Sequence, residues 1–293
     1  MTTAAALPFR KMNGLGNDFV VLDGRQRAIA LDAEATRRIA DRHGGVGCDQ
    51  LIILEPSRRA DVFMRIRNAD GGEVDACGNA TRCVAWLLSR ETGRGAATIE
   101  TNAGVLTAEV AGIDHITIDM GEPRFRWDQI PLRDPFHDTR HIELQIGPID
   151  APILHSPTVV HVGNPHAIFW VDDVMAYDLA RFGPLLENHP IFPERANISL
   201  AHVTARDALT LRTWERGAGL TRACGTAACA AAVSAARIDL TGRRVTVTLP
   251  GGPLVIEWTD ANRILMSGPA ELEFEGRLDG TSFAPLAGGG VVV

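Results

Sequence analysis

Lysine is almost absent from this 293-residue chain. Lys11 is the only one, so 28 of the 29 basic residues (29 − 1) are arginine. Enzymes that use pyridoxal phosphate hold it through a lysine Schiff base. The lone candidate lies in Arg10-Lys11-Met12, ahead of a glycine-rich turn, which argues against lysine-based covalent catalysis. Cysteine is scarce too. Cys48, Cys77, Cys83, Cys224 and Cys229 form an odd, dilute set that does not fit a disulfide scaffold. No two have C-x-x-C spacing, so neither a structural zinc site nor a thioredoxin-type motif has support, and no metal is expected. There is no run of about 18 apolar residues. The Ala-rich stretch that opens at Cys224 stops at Arg237. Met1 to Arg10 lacks the pattern of a secretory signal, so cytoplasmic location without membrane association is expected. Positive charge is in deficit, 29 − 36 = −7, which disfavours a nucleic-acid partner.

What remains is an ordinary globular composition, 45% hydrophobic and 22% charged, which excludes disorder, collagen and coiled coil for the chain as a whole. The length allows one large domain or two of about 150 residues each.

A repeat points to two. Ala76-Cys77-Gly78-Asn79-Ala80 resembles Ala223-Cys224-Gly225-Thr226-Ala227, and the offset is 224 − 77 = 147. The same offset carries Gly16-Asn17 onto Gly163-Asn164, Gln50 onto Asn197, Arg65 onto Arg212 and Gly72 onto Gly219. Continued without a gap, it carries Gly104 onto Gly251 and Gly121 onto Gly268. One constant offset over so long a span predicts two copies of one domain that share a cleft. The expected boundaries are 1–122, completed by 270–293, and 123–269.

The local patterns are strand-rich. Strands are expected at Phe19 to Asp23, Leu51 to Leu54, Val62 to Ile66, Thr98 to Thr101, Val105 to Val110 and His115 to Asp119. Second-half counterparts run Val159 to Val162, Ala167 to Val171, Ile198 to Val203, Leu209 to Trp214, Val245 to Leu249, Leu254 to Trp258 and Ile264 to Met266. Asp32 can cap a helix reaching about His43. Apolar helices are expected at Ala80 to Ser89 and Ala227 to Ala236. Their apolar positions run most of the way round, which predicts burial inside a curved sheet. The Pro-containing link from Glu122 to Ile153 is read as irregular, with one strand near His141 to Ile146, and the tail Gly288 to Val293 as frayed.

Cys77 and Cys224 each precede a glycine and an apolar helix. At a helix N-terminus, unpaired N–H groups and the macrodipole favour an anion and lower a thiol's pKa. Two such thiols facing one carbon suit inversion of a stereocentre. One removes the α-proton, and the other protonates the opposite face. Cys48, Cys83 and Cys229 are read as small buried hydrophobes. Asn17, Gln50, Asn164 and Asn197 are neutral amides able to orient carboxylate and ammonium groups. The repeat breaks at Asn68, which aligns with Glu215 (68 + 147). Glu215-Arg216 supplies one acceptor for an ammonium and one fork for a carboxylate. His166, after Gly163-Asn164-Pro165, is placed to tune a thiol.

Lys11-Met12-Asn13-Gly14-Leu15-Gly16-Asn17-Asp18-Phe19, Asn68-Ala69-Asp70-Gly71, the two cysteine motifs, Gly163-Asn164-Pro165-His166 and Glu215 to Gly219 together resemble the diaminopimelate epimerase family, over roughly Phe9 to Gly276. The resemblance implies an α/β fold of two pseudosymmetric domains, each a curved, mostly antiparallel sheet wrapped around a central helix, with the active site in the cleft. It implies a cofactor-independent epimerase of LL- and meso-2,6-diaminopimelate, in lysine and peptidoglycan precursor biosynthesis. It assigns Cys77 and Cys224 as the acid/base pair. Asn17, Gln50, Asn68, Gly78, Asn79, Asn164, Asn197, Glu215, Arg216, Gly225 and Thr226 become substrate contacts, and His166 and Glu215 thiol modulators. A homodimer is a further expectation. Ala80, Ala227 and Leu220 depart from the family's usual Gly, Gly and Glu. The other readings are a proline-type racemase on the same scaffold, a thiol redox protein and a non-catalytic binding protein.

Overall fold

The computed structural model describes residues 6–286 and divides the chain into two units, Met1–Ile118 with Gly268–Val293, and Asp119–Ser267. The tail from Gly288 to Val293 lies outside the described residues.

The first unit runs β1 (Leu7–Gly14), β2 (Asn17–Asp23), α1 (Ala33–Ala40), β3 (Gln50–Glu55), β4 (Val62–Asn68), β5 (Glu73–Val74), α2 (Gly78–Thr92), β6 (Ala96–Thr101), β7 (Gly104–Gly112) and β8 (His115–Asp119). Hairpins make most pairings antiparallel. Two pairings are parallel, β2 with β3 across α1 and β4 with β6 across α2, as crossovers through a helix require. The second unit repeats the pattern. After the short pair β9 (Gln145–Ile146) and β10 (Leu154–His155) come β11 (Thr158–His161), β12 (Pro165–Trp170), α3 (Leu179–Glu187), β13 (Asn197–Ala205), β14 (Ala208–Glu215), β15 (Gly219–Leu220), α4 (Gly225–Arg237), β16 (Arg244–Leu249), β17 (Gly252–Trp258) and β18 (Ile264–Gly268). Here β12 and β13 are parallel across α3, and β14 and β16 across α4. The last strand, β19 (Glu271–Leu278), lies antiparallel to β1 and completes the first unit.

Registers of the two units match through the parallel pairs. Phe19 faces Gln50, and His166 faces Asn197, both displaced by 147. The offset does not persist. Gly104 follows the β6–β7 turn as Gly252 follows β16–β17, with φ of 133° and 137°. The shift there is 148, so Gly104 answers to Gly252 rather than Gly251, and Gly121 (121 + 148) to Pro269 rather than Gly268. The extra residue enters after the second cysteine helix. Helix plus loop span 15 + 3 residues from Gly78 to Gly95, but 13 + 6 from Gly225 to Arg243. A loop absorbs it because a slip inside a strand would turn its apolar face outward.

The two cysteine helices are buried on nearly all sides. α4 buries ten residues, with Ala at 227, 228, 230, 231 and 235 among them, and packs against β11, β12, β13, β14, β16 and β17. Alanine lets the surrounding strands approach closely, and Val233 is fully buried among them. α2 packs on β1, β6 and β7. It even buries Arg82, whose Nε donates to the Pro269 carbonyl (3.0 Å) and whose Nη2 donates to Asn79 Oδ1 (3.0 Å). Both helices extend beyond the sequence expectation. α1 ends at Ala40, short of His43, because the amides of Val46 and Gly47 fold back onto the Ile39 carbonyl (3.0 Å each). The strand expected at His141 to Ile146 shrinks to Gln145–Ile146, although Ile142 and Leu144 are core residues.

α3, unforeseen from sequence, is fixed to β14 through Gly183. A Cβ built there would sit 2.4 Å from the Trp214 ring. Gly183→Ala is therefore expected to lower stability by about 2 kcal/mol, the usual cost of overpacking. A urea midpoint unchanged within error would contradict this packing.

Candidate active site

Two clusters form, one in each unit, around the residue that begins each buried helix. In the first, Cys77 is the N-cap of α2, with extended backbone (φ −148°, ψ 110°) and no side-chain cap. The first-turn amides are thus left to other acceptors. The Cys77 thiol is half-exposed and hydrogen-bonds Asn17 Oδ1 at 3.7 Å, while Asn79 Nδ2 donates to the same oxygen at 3.4 Å. Gly14 permits this crowding. A Cβ there would lie 3.2 Å from both the Asn79 Cβ and its carbonyl oxygen. Gln50 and Asn68 face each other in register, with Gln50 Nε2 donating to Asn68 Oδ1 at 3.0 Å. Gln50 Oε1 is buried without a partner, an acceptor available to a ligand.

Behind Asn17 stands a network that sequence reasoning missed. Asn17 Nδ2 donates to Asp49 Oδ2 at 3.0 Å, and Arg42 bridges Asp49 and Asp18 at 2.8 Å each. Lys11 is buried against Asp18 and the Gly47 carbonyl. Burial alone would raise the Asp18 carboxyl, but Arg42 and Lys11 hold it well below the carboxylate range. Since Asp49 only accepts, the Asn17 amide turns its oxygen toward Cys77. The local sequence hid this role, for nothing between Arg10 and Met12 points to the distant Asp18 and Gly47.

In the second unit Cys224 is the N-cap of α4 (φ −125°, ψ 106°) and is 5% exposed. Its sulfur lies 3.5 Å from Thr226 Oγ1 and hydrogen-bonds Glu215. Its thiol is pushed well above the usual cysteine value, first by burial and then by the Glu215 charge. The expected lowering by the helix N-terminus does not win here. The partial charge of a helix end is smaller than the penalty of ionising a dehydrated sulfur beside a carboxylate. Burial also raises Glu215, opposed by hydrogen bonds from Thr221 and Cys224.

Asn197 is buried at the start of β13. Its Nδ2 donates to the Pro165 carbonyl (3.0 Å), and its Oδ1 accepts from the Arg216 backbone amide (3.0 Å). The Arg216 guanidinium donates to the Glu194 carbonyl at 2.8 Å. Of the two expected thiol modulators, Glu215 meets Cys224, whereas His166 is bonded through Nε2 to Asn164 Oδ1 at 2.7 Å. His166 is fully buried, its Nδ1 has no partner, and burial with the charges of His161 and Arg216 lowers its pKa to about 3. The remaining cysteines fit their sequence reading. Cys48, Cys83 and Cys229 are buried, and burial raises Cys48 and Cys83 to about 12. Leu220 is exposed, while Ala80 and Ala227 are fully buried at their helix starts. Among the described residues, no group of three or more His, Cys, Asp or Glu is arranged to hold a metal ion, and no helix is long and apolar enough to cross a membrane.

A model of the diaminopimelate epimerase family matches residues 9–126 and 158–273. The chain is 59% identical over 282 residues to a diaminopimelate epimerase of Brucella anthropi, covering 95% of this chain and 93% of that one. It is 56% identical over 291 residues to one of Nitrobacter hamburgensis, covering 98% and 100%. Among solved structures, a phenazine biosynthesis protein of the PhzF family from Bacillus anthracis superposes with a TM-score of 0.65 at 20% identity, covering 95% of this chain and 99% of the other. A hydroxyproline epimerase from Agrobacterium vitis gives 0.64 at 15% identity, covering 98% and 96%. These last two likenesses speak to the fold alone.

Two outcomes follow from this geometry. Brief iodoacetamide treatment with peptide mapping is expected to label Cys77 before the four buried cysteines, and earlier labelling of Cys224 would contradict its burial. His166 binds a proton below about pH 6.5 when unfolded but only near 3 when folded. Its contribution to stability is therefore present above 6.5 and lost as pH falls toward 3. Histidine ring NMR should show one residue that does not titrate between pH 5 and 8.

Proposed function

Because the chain belongs to the diaminopimelate epimerase family, and so interconverts the LL and meso forms of 2,6-diaminopimelate as an isomerase, we propose that Cys77 and Cys224 are its two proton-transfer groups. The observation that carries this reading is their equivalence. Each is the N-cap of an internal helix, and each belongs to a different one of two units with matching registers. The finer reading of the fold goes with it: two pseudosymmetric copies, each a curved sheet around its cysteine helix, acting together on one substrate.

In this reading one sulfur, as thiolate, removes the α-proton, and the C–H electron pair passes into the carboxylate as an enolate-like carbanion. The opposite sulfur, as thiol, gives its proton to the other face. The elevated pKa of Cys224 suits it to start as the thiol, so that Cys77 takes the proton when the direction of reaction calls for it. Gly78, Asn79, Gly225 and Thr226 open the two helices and supply amides for the developing carboxylate charge. Fixed donors in a dehydrated site stand in for an electron-sink cofactor.

Asn17 orients the substrate beside Cys77. The unpartnered Gln50 Oε1 takes an ammonium hydrogen, with Asn68 aligning the amide. Asn164, Asn197, Glu215 and Arg216 serve the substrate's amino-acid groups on the second unit. His166, neutral at physiological pH, keeps Asn164 in place and presents Nδ1 without adding charge to the second unit's cluster.

The deciding experiment follows α-hydrogen exchange in D2O with LL- and meso-diaminopimelate. The parent should incorporate deuterium during epimerisation, and Cys77→Ser and Cys224→Ser should each lose at least about 100-fold in kcat/KM, as expected for removal of an acid/base group. Parent-like turnover by either single variant would end the two-base reading. Proline inversion by the parent in place of diaminopimelate inversion would favour the racemase alternative.

A further inference from the structure

We propose that Glu187, at the C-terminal end of α3, is a positioning residue that holds Arg216, on the Glu215–Gly219 turn, in place for substrate binding. The inference rests on the assignment of Glu215 and Arg216 as substrate contacts.

Glu187 is 5% exposed. A carboxylate is misplaced there twice over, since burial removes its hydration and a helix C-terminus carries negative partial charge. It persists because three donors converge on it. Trp214 Nε1 donates to Oε2 at 2.7 Å, the Gly217 amide donates to Oε1 at 3.0 Å, and Arg195 Nη1 donates to Oε1 at 3.1 Å.

These donors come from the segments that bear the second unit's binding residues. Trp214 precedes Glu215, and Gly217 follows Arg216. Arg195 stands two positions before Asn197 and one after Glu194, whose carbonyl receives the Arg216 guanidinium. The turn needs such an anchor. Gly217 and Gly219 have φ of 77° and 85°, which leaves this stretch without the restraint that side-chain-bearing residues give a backbone. Arg195 itself sits at φ 59°, a region that a non-glycine residue keeps only when its surroundings enforce it.

The internal repeat isolates the device. At an offset of 147, Glu187 answers to Ala40, Arg195 to Cys48, Trp214 to Arg67, Glu215 to Asn68 and Arg216 to Ala69. Acceptor, donors and binding pair thus all differ from the first unit, although helix and strand registers are kept. The asymmetry of recognition and the asymmetry of its support occur together. Glu187 acts through the turn on substrate binding and does not itself move a proton.

Steady-state kinetics of Glu187→Gln, Arg216→Met and the double variant test this. Glutamine keeps the shape, but its NH2 must face at least one of the three donors. Glu187→Gln is expected to raise KM for LL-diaminopimelate about tenfold and to change kcat less than about threefold. In the Arg216→Met background it should shift KM by less than about twofold, because the position it guards is gone. Unchanged KM, a loss confined to kcat, or a full tenfold effect in both backgrounds would overturn the inference. Should Glu187→Gln fail to fold, Arg195→Met removes only the outer, half-exposed donor. It should still raise KM about threefold, and parent-like KM would overturn the role. A parent without epimerase activity would instead defeat the reading on which this rests.

Discussion

A helix packed against strands on most sides meets polar partners mainly at its ends. α4 is such a helix, and so is α2 apart from the buried Arg82 and its exposed last turn, and the chemistry of the two clusters follows from that constraint. Their side chains are spent on packing, and their carbonyls on internal hydrogen bonds. The N-terminal amides lie outside the internal ladder, and the residue just before them has extended backbone. A cysteine in that position is a weaker cap than serine or aspartate, bonding the Ala227 amide in α4, so that a substrate anion can compete for the helix start. The alanines of α4 are thus part of the chemistry at one remove, since they let the strands close around the helix and leave polar partners to its ends.

Burial also decides the protonation states. For Cys224 it outweighs the helix end, and Glu215 adds to it. For His166 it suppresses the cation altogether. For Asp18 the balance tips the other way, because Arg42 and Lys11 supply opposite charge at short range. The first unit therefore surrounds its half-exposed thiol with amides backed by an ion network, whereas the second surrounds its buried thiol with a carboxylate and a hydroxyl. Matching folds have acquired different electrostatics.

The sequence made the cysteine motifs, both inner helices and most strands legible, because each has an unbroken apolar pattern. It missed elements whose composition argues against them. α3 contains Gly183 and Pro184, both poor helix residues, yet the glycine is required by Trp214 and the proline lies within a helix capped by Asp178. β1 holds a lysine at a buried position that only the distant Asp18 and Gly47 make tolerable. β19 alternates as Glu271-Leu272-Glu273-Phe274, but its partner β1 lies some 260 positions earlier, beyond any local rule. The extra residue after α4 escaped because glycines are common enough to supply a false match at Gly251. Among the candidate residues, Asn17, Cys77 and Asn79 meet, as do Gln50 with Asn68, and Glu215 with Cys224 and, through Thr226, its helix start. The supporting carboxylates Asp49 and Glu187 gave no signal, for nothing local distinguishes a charged residue that will be enclosed from one that will not.

The burial of Lys11 has a further consequence for the molecule's outer chemistry. Every solvated cationic side chain that does not titrate near neutrality is a guanidinium, and guanidinium groups keep their proton to beyond about pH 12. Alkaline solution therefore strips no side-chain positive charge from the surface. Acylating reagents and acetyl-transfer enzymes, which need an accessible primary amine, find the one side chain of that kind clasped inside the first unit by a carboxylate and a backbone oxygen.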